Sequence, residues 1–170
     1  MTRTDDGGSP GPATSGEGSP LVPDSPGRLR LGRLVSHVRQ AGDGVVSTLG
    51  PDGGPQAAYL AVAVTDAGEL VFDARVGSRK VVNVARDERV AVVVGGAGGT
   101  TLQVQGVADV PSGADRERCV AAYATAFPQF VGSLVDPGIV VLRVRVSWAR
   151  WGDFRVSPPV LEEASGGVRA

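Results

Sequence analysis

The chain has 170 residues, of which 42% are hydrophobic and 21% charged, and its formal net charge is −1. That length supports one domain around one core rather than two. The near-zero charge excludes a general field for attracting a polyanion, so no nucleic-acid partner is expected and any anion site must be local. A single cysteine, Cys119, and a single histidine, His37, exclude an intrachain disulfide and a structural zinc site. The opening MTRTDDGGSP has no basic start followed by an apolar run. No apolar stretch approaches the roughly 20 residues that span a bilayer. A cytoplasmic protein without membrane association is the expectation.

Residues 1–27 hold five of the twelve prolines and six of the 25 glycines, with few large apolar side chains. Such a segment buries too little surface to offset its ordering entropy, so it is expected to be a disordered tail, as is 164–170. The folded domain is expected over 28–163. Ser25 and Pro26 suit a helix start, and Leu31, Leu34, Val35 and Val38 form an apolar stripe at helical spacing, stopped by Gly42 and Gly44. Strands follow: Val45–Leu49, the turn-rich Gly50–Pro55, then Gln56–Thr65, a tight turn, and Glu69–Ala74. Gly77 and Ser78 break the rhythm and open a short helix ending near Arg86. Val90–Gly95, the loop GGAGG and Thr100–Val110 form another hairpin, Ala114–Ala126 a helix, and Gly138–Ser147 the last strand. Over Leu142–Val146 apolar and basic residues alternate, so one face is buried and the other is wet or holds an anion. Six strands joined mostly by tight turns predict an antiparallel, mainly β barrel with peripheral helices.

Three groups are able to carry chemistry. Ser78-Arg79-Lys80 lies where a strand ends and a helix begins, where unpaired amides and the helix dipole favour an anion. Arg79 can grip two phosphate oxygens and Lys80 adds a point charge, yet a capped surface helix with solvated bases has the same pattern. Thr101, Gln103 and Gln105 share one face of a strand, facing either a heterocycle edge or solvent. Trp148, Trp151, Arg150 and Arg155 follow the last strand, and either wall in a flat cofactor or close the core. His37 lies just off the helical stripe and reads as a surface or partly packed residue, and Cys119 as a small buried group. With no nucleophile–histidine pair in prospect, hard chemistry would have to come from a cofactor.

The ordered succession VVSTLGPDGGPQ, ELVFDARVGSRKVVNVARDERVAVVV, TLQVQGVADV and WARWGDFR resembles the pyridoxamine 5'-phosphate oxidase-like split barrels, over roughly Leu31–Glu163. The resemblance implies a six-stranded antiparallel split barrel, a homodimer, and FMN at the subunit interface. It places the phosphate at Ser78, Arg79 and Lys80, with Phe72, Asp73 and Ala74 lining the cofactor and Ala58, Tyr59 and Leu60 running beside the ring. Thr101 stands where the true oxidases carry a glutamine, with Gln103 two residues on, and Trp151 falls in the closing aromatic motif. Ala57-Ala58 replaces their second-strand arginine, and their C-terminal arginine motif is not evident. These departures point away from vitamin B6 oxidation. They point toward relatives using FMN or a deazaflavin for hydride transfer with some small-molecule substrate, or toward a non-catalytic flavin or haem carrier or sensor.

Overall fold

Valine alternating with small or polar residues builds the sheet, because a branched Cβ packs well on a pleated surface and alternate residues share a face. Val90, Val92 and Val94 turn inward while Arg89, Ala91 and Val93 turn out. The computed structural model describes residues 27–167. Its elements are β1 (Gly27–Arg28), α1 (Leu31–Ala41), β2 (Asp43–Leu49), β3 (Pro55–Ala61), β4 (Ala63–Val64), β5 (Leu70–Arg75), α2 (Arg79–Arg86), β6 (Arg89–Gly95), β7 (Thr100–Asp109), α3 (Gly113–Ala126), a 3-10 segment (Pro128–Val135), β8 (Ile139–Asp153) and β9 (Val160–Ser165). The expected mainly β architecture with helices outside is what forms. No helix among the described residues is long and apolar enough to cross a membrane.

The sheet runs in the order β1-β9-β8-β7-β6-β2-β3, with β5 also on β8 and β4 on β5. Among the described residues only the short β1–β9 pair is parallel. β8 is the longest strand, at 15 residues. One of its edges pairs with β5 over Ile139–Val144 and with β9 over Trp148–Asp153, while the other pairs with β7 over Arg143–Asp153. The register with β7 slips between Gln105 and Gly106, leaving Ser147 as the extra residue. Gly106 faces the β8 backbone so closely that a Cβ there would collide with the Arg145 carbonyl oxygen.

Several expected boundaries move. The first helix begins at Leu31, and Gly27 pairs with Glu162 in β1 instead of belonging to a tail; Ser25 and Pro26 lie outside the described residues, as does the rest of the expected N-terminal tail. The long second strand breaks at Val62, which is buried, into β3 and β4. Trp148–Asp153 does not follow the last strand but continues β8. Ala164 and Ser165, expected in a C-terminal tail, pair with Ala149 and Trp148 in β9. The physical reason is the far half of β8, whose open edge needs a hydrogen-bonding partner.

Leu34 and Val38 bury the stripe of α1 in the main core, with Val46, Phe72, Val92, Leu102 and Leu142. Gly42 ends that helix at φ 71°, its amide donating to the Val38 carbonyl. A second core lies under α3, where Cys119, Tyr123 and Phe127 pack on Ala63, Val71 and Val141. Burial pushes the Cys119 thiol above its ordinary pKa, which keeps it a packing group rather than a nucleophile.

The basic face of β8 holds anions, and they are the protein's own. Arg143 is buried and reaches Asp109 at 2.8 Å, Asp115 at 2.7 Å and Glu69 at 3.2 Å. It therefore ties β8 to β7, to α3 and to the turn before β5. Arg143 and then Arg118 hold the Asp115 carboxyl below its ordinary range. A lowered carboxyl stabilises the fold above its unfolded value, about 3.9, and that contribution fades as pH falls through the folded value.

Two consequences are measurable by chemical denaturation. Gly106→Ala is expected to cost about 2 kcal/mol through the backbone collision, whereas Gly32→Ala, with open space around it, costs nothing or stabilises slightly. Arg143→Ala leaves Glu69 and Asp115 with Arg118 alone and Asp109 with Arg145 alone, and is expected to cost about 2–3 kcal/mol, modest for a buried ion pair because these remaining cations and the half-exposed Asp115 soften the repulsion. That loss should shrink below about pH 4, where carboxyl protonation removes the repulsion. A loss independent of pH would show that packing, not charge, is what Arg143 supplies.

Candidate functional site

The Ser78 site follows from the way β5 hands the chain to α2. A turn closes with the Ser78 amide donating to the Arg75 carbonyl at 2.9 Å. Ser78 stays extended (φ −71°, ψ 151°), and its carbonyl accepts the first helical bond, from the Val82 amide at 3.1 Å. The amides of Arg79, Lys80 and Val81 then have no helical acceptor behind them. In an ordinary N-cap the serine oxygen would take one of these donors. Here Ser78 makes no side-chain cap bond, and its Oγ is buried with no hydrogen-bond partner among the described residues. A buried hydroxyl left unsatisfied costs about 1–3 kcal/mol, so the position is poised for an acceptor or donor from outside. Arg79 is exposed and Lys80 half-buried beside it.

The helix is pinned from below by a residue that the sequence reading passed over. Asn83, 2% exposed, donates through Nδ2 to Thr48 Oγ1 at 2.9 Å and to Gln56 Oε1 at 3.1 Å. Arg86 donates to the Leu49 carbonyl. Asparagine is a poor helix former, so its place in mid-helix was the available signal for a tertiary role.

The other expected site residues do not all gather at Ser78. Phe72 is fully buried in the main core, and Asp73 turns to the opposite face, accepting from Tyr123 Oη at 2.9 Å and Ser133 Oγ at 2.7 Å. Both carry the strand end that sets the position of Ser78, and the Asp73 carboxylate, unlike the Ser78 hydroxyl, already has protein partners. Burial, reinforced by Asp73, raises the Tyr123 phenol well above its ordinary pKa. On β3, Leu60 packs against the main core and Ala58 is half-buried, while Tyr59 is 70% exposed. Thr101 is half-buried and Gln103 exposed on β7. Strand register places Tyr59, Val45, Val93, Gln103 and Arg150 in one row across the outer face of the sheet. Val45 and Val93 stay exposed there.

Tyr59 and Trp151 instead border a groove of about 1360 Å³ between α1, the β6–β7 loop and the far end of β8. Ser78, Arg79 and Lys80 do not line it. Asn83 holds α2 at Thr48, whereas the groove touches Asp43, so the two places lie at opposite ends of β2, roughly 17 Å apart along the strand. His37 is buried in the groove wall rather than set on the surface. Its Nε2 lies 3.1 Å from the Val94 carbonyl, and Trp151 Nε1 donates to its Nδ1 at 3.2 Å. An indole N–H can only donate, so Nδ1 is the acceptor and Nε2 carries the proton. Gly95, at φ 80°, leaves room for this ring; a Cβ there would stand 2.8 Å from Nε2. The Asp43 carboxylate beside Tyr59 pushes that phenol above its ordinary pKa.

Comparison with known proteins establishes the fold and the family. No curated protein matches the sequence. A heme-binding protein from Mycobacterium smegmatis shares the fold at a TM-score of 0.68 and 20% identity, over 82% of this chain and 59% of that one. This chain thus spans little more than half of that protein. A NimC/NimA family protein from Clostridium acetobutylicum aligns at 0.59 and 14% identity, covering 79% and 93%. A heme storage protein from Vibrio cholerae aligns at 0.57 and 15%, covering 68% and 89%. At such identities these structures establish the fold alone. The model of the pyridoxamine 5'-phosphate oxidase family matches residues 33–151, from the first turn of α1 to Trp151 near the end of β8. Those residues contain the Ser78 corner, strands β2 to β7 with most of β8, and the buried wall of the groove, and the chain belongs to that family.

Proposed function

We propose that this protein is a flavoprotein that binds FMN through its phosphate at Ser78, Arg79 and Lys80, and that it acts as an oxidoreductase on a small molecule. The observation that carries the reading is the buried, unpartnered Ser78 Oγ at a helix start whose first three amides lack helical acceptors. The residues fit the group: a phosphate oxygen would satisfy Ser78 Oγ and the amides, and the two cations would offset its charge. Asn83, through Thr48 and Gln56, fixes the helix so that the cradle is formed in advance. Bound flavin supplies hydride chemistry that the side chains lack. Ala58, Tyr59, Thr101 and Gln103 are the residues proposed to position its ring, with Phe72 and Asp73 acting from behind as supports; Trp151 stands in the groove wall at the other end of β2, away from the Ser78 corner.

The exposed row of Tyr59, Val45 and Val93 supports a homodimer through this sheet face, since apolar side chains grouped on an outer face commonly mark an interface. A lone buried cysteine is compatible with a reducing, cytoplasmic setting. A deazaflavin also carries phosphate and fits the same corner. A haem carrier is the other reading, favoured by the names of two structural neighbours. His37, however, is the chain's one histidine and has both ring nitrogens engaged, so histidine ligation would require breaking its bonds to Val94 and Trp151.

The visible spectrum of the purified protein separates FMN, deazaflavin and haem. FMN affinity, read by flavin fluorescence, is expected to fall at least about 100-fold in Arg79→Ala with Lys80→Ala, as two charge-assisted contacts are lost. Ser78→Ala should weaken FMN about tenfold yet leave the melting temperature of the ligand-free protein unchanged or raised, because its hydroxyl has no partner to lose. Unaltered FMN affinity in both variants would sink the assignment.

A further inference from the structure

The groove beside α1 is a second anion site with its own construction. Four guanidiniums line it, from Arg28, Arg30, Arg33 and Arg155, against two carboxylates, Asp43 and Glu162. Two of the four are already engaged. Arg33 pairs with Glu162 at 2.8 Å and lies 4.4 Å over the Trp151 ring, while Arg155 pairs with Asp153 at 2.6 Å. Arg28 and Arg30 are exposed, and their side chains have no hydrogen-bond or carboxylate partner among the described residues. Their direction is not accidental. Leu29 between them is 1% exposed in the main core, and its amide donates to the Glu163 carbonyl, so in this extended segment both neighbours turn outward on the same side.

The opposite wall is rigid and shaped. Trp151, His37 and the Val94 carbonyl form a fixed hydrogen-bonded chain, and the loop of Gly95, Gly96, Ala97 and Gly98 brings backbone rather than bulky side chains to the rim. A volume of about 1360 Å³ is far beyond what a single ion needs and is generous even for an organic ligand. We propose that this groove binds a small organic polyanion, a molecule with at least two carboxylate or phosphate groups, held by the forks of Arg28 and Arg30 and bordered by the Arg33–Trp151 stack. Planar oxyanions match the guanidinium fork, and two free forks set side by side favour a ligand with two such groups. The site lies at the opposite end of β2 from Ser78 and does not depend on the flavin assignment.

The test is calorimetric titration of the full-length protein at low salt with citrate and with pyrophosphate. At least one probe is expected to bind, and preference for citrate assigns carboxylates, the reverse phosphates. Arg28→Gln with Arg30→Gln should weaken the preferred probe at least tenfold. Arg30→Gln alone gives a smaller loss and carries the test if the double variant disturbs β1. Arg79→Ala with Lys80→Ala should remove at most a separate pyrophosphate event at the Ser78 corner and leave the binding that depends on Arg28 and Arg30 unchanged, and Arg116→Gln, an exposed arginine on α3, should alter neither. The proposal is overturned if neither probe binds, if the Arg28 and Arg30 variants bind as tightly as the parent, or if the Arg79 and Lys80 variant loses binding to the same extent.

Discussion

The continuous ladder along β8 is the constraint on which the rest of the molecule depends. One strand of 15 residues serves β7 on one edge and both β5 and β9 on the other. To do so it must change direction midway, and the register slip at Gln105 and Gly106 is where it does. The glycine is required there by a backbone approach that leaves no space for a side chain. The two halves of β8 then have different tasks. The first, through Val141, Leu142 and Val144, holds β5 between the two cores; the second, through Ala149 and Trp151, closes the main core beside α1.

Each candidate site inherits its position from one of these halves. β5 lies along the first half, so the end of β5 fixes where the chain turns into α2 and where Ser78 is left without a cap bond. Trp151 comes from the second half, and through His37 it sets the wall of the arginine groove. β2 spans the distance between them, with Thr48 under α2 and Asp43 at the groove. Charge follows the same division. Arg143, at the junction of the halves, is saturated by Asp109, Asp115 and Glu69 and is spent on holding elements together. The cations of the two candidate sites lie at the periphery, on α2 and on the segment that enters α1.

Much of this was legible residue by residue. The stripe Leu34 and Val38, the alternation in β6 and β7, and the helix start after Ser78 are local patterns, and local sterics realise them with small shifts. The misplaced boundaries share one cause. Trp148–Asp153 looks like a chain leaving its last strand, with a glycine and an acid to end it, but β9 and β7 supply partners on both edges and the strand continues. Likewise Gly27 and Ala164 have tail-like composition yet are drawn into pairing by the open edge of β8 and β9.

By itself, then, the sequence determined the kind of element at most positions, the two-faced character of the strands, and the helix start that follows Ser78. Those properties depend on dihedral preference and on periods of two or 3.6 residues, which neighbours in the chain dictate. Only the tertiary structure decided what each polar face meets. Arg143 and Arg145 alternate identically with valine, yet one is buried among three carboxylates and the other is exposed, because α3 and the turn at Glu69 cover only one of them. His37 and Trp151 stand 114 positions apart, and Arg28 and Arg155 come from opposite ends of the described chain. Periodicity names a face but not its partner; strand register and helix packing supply the partner.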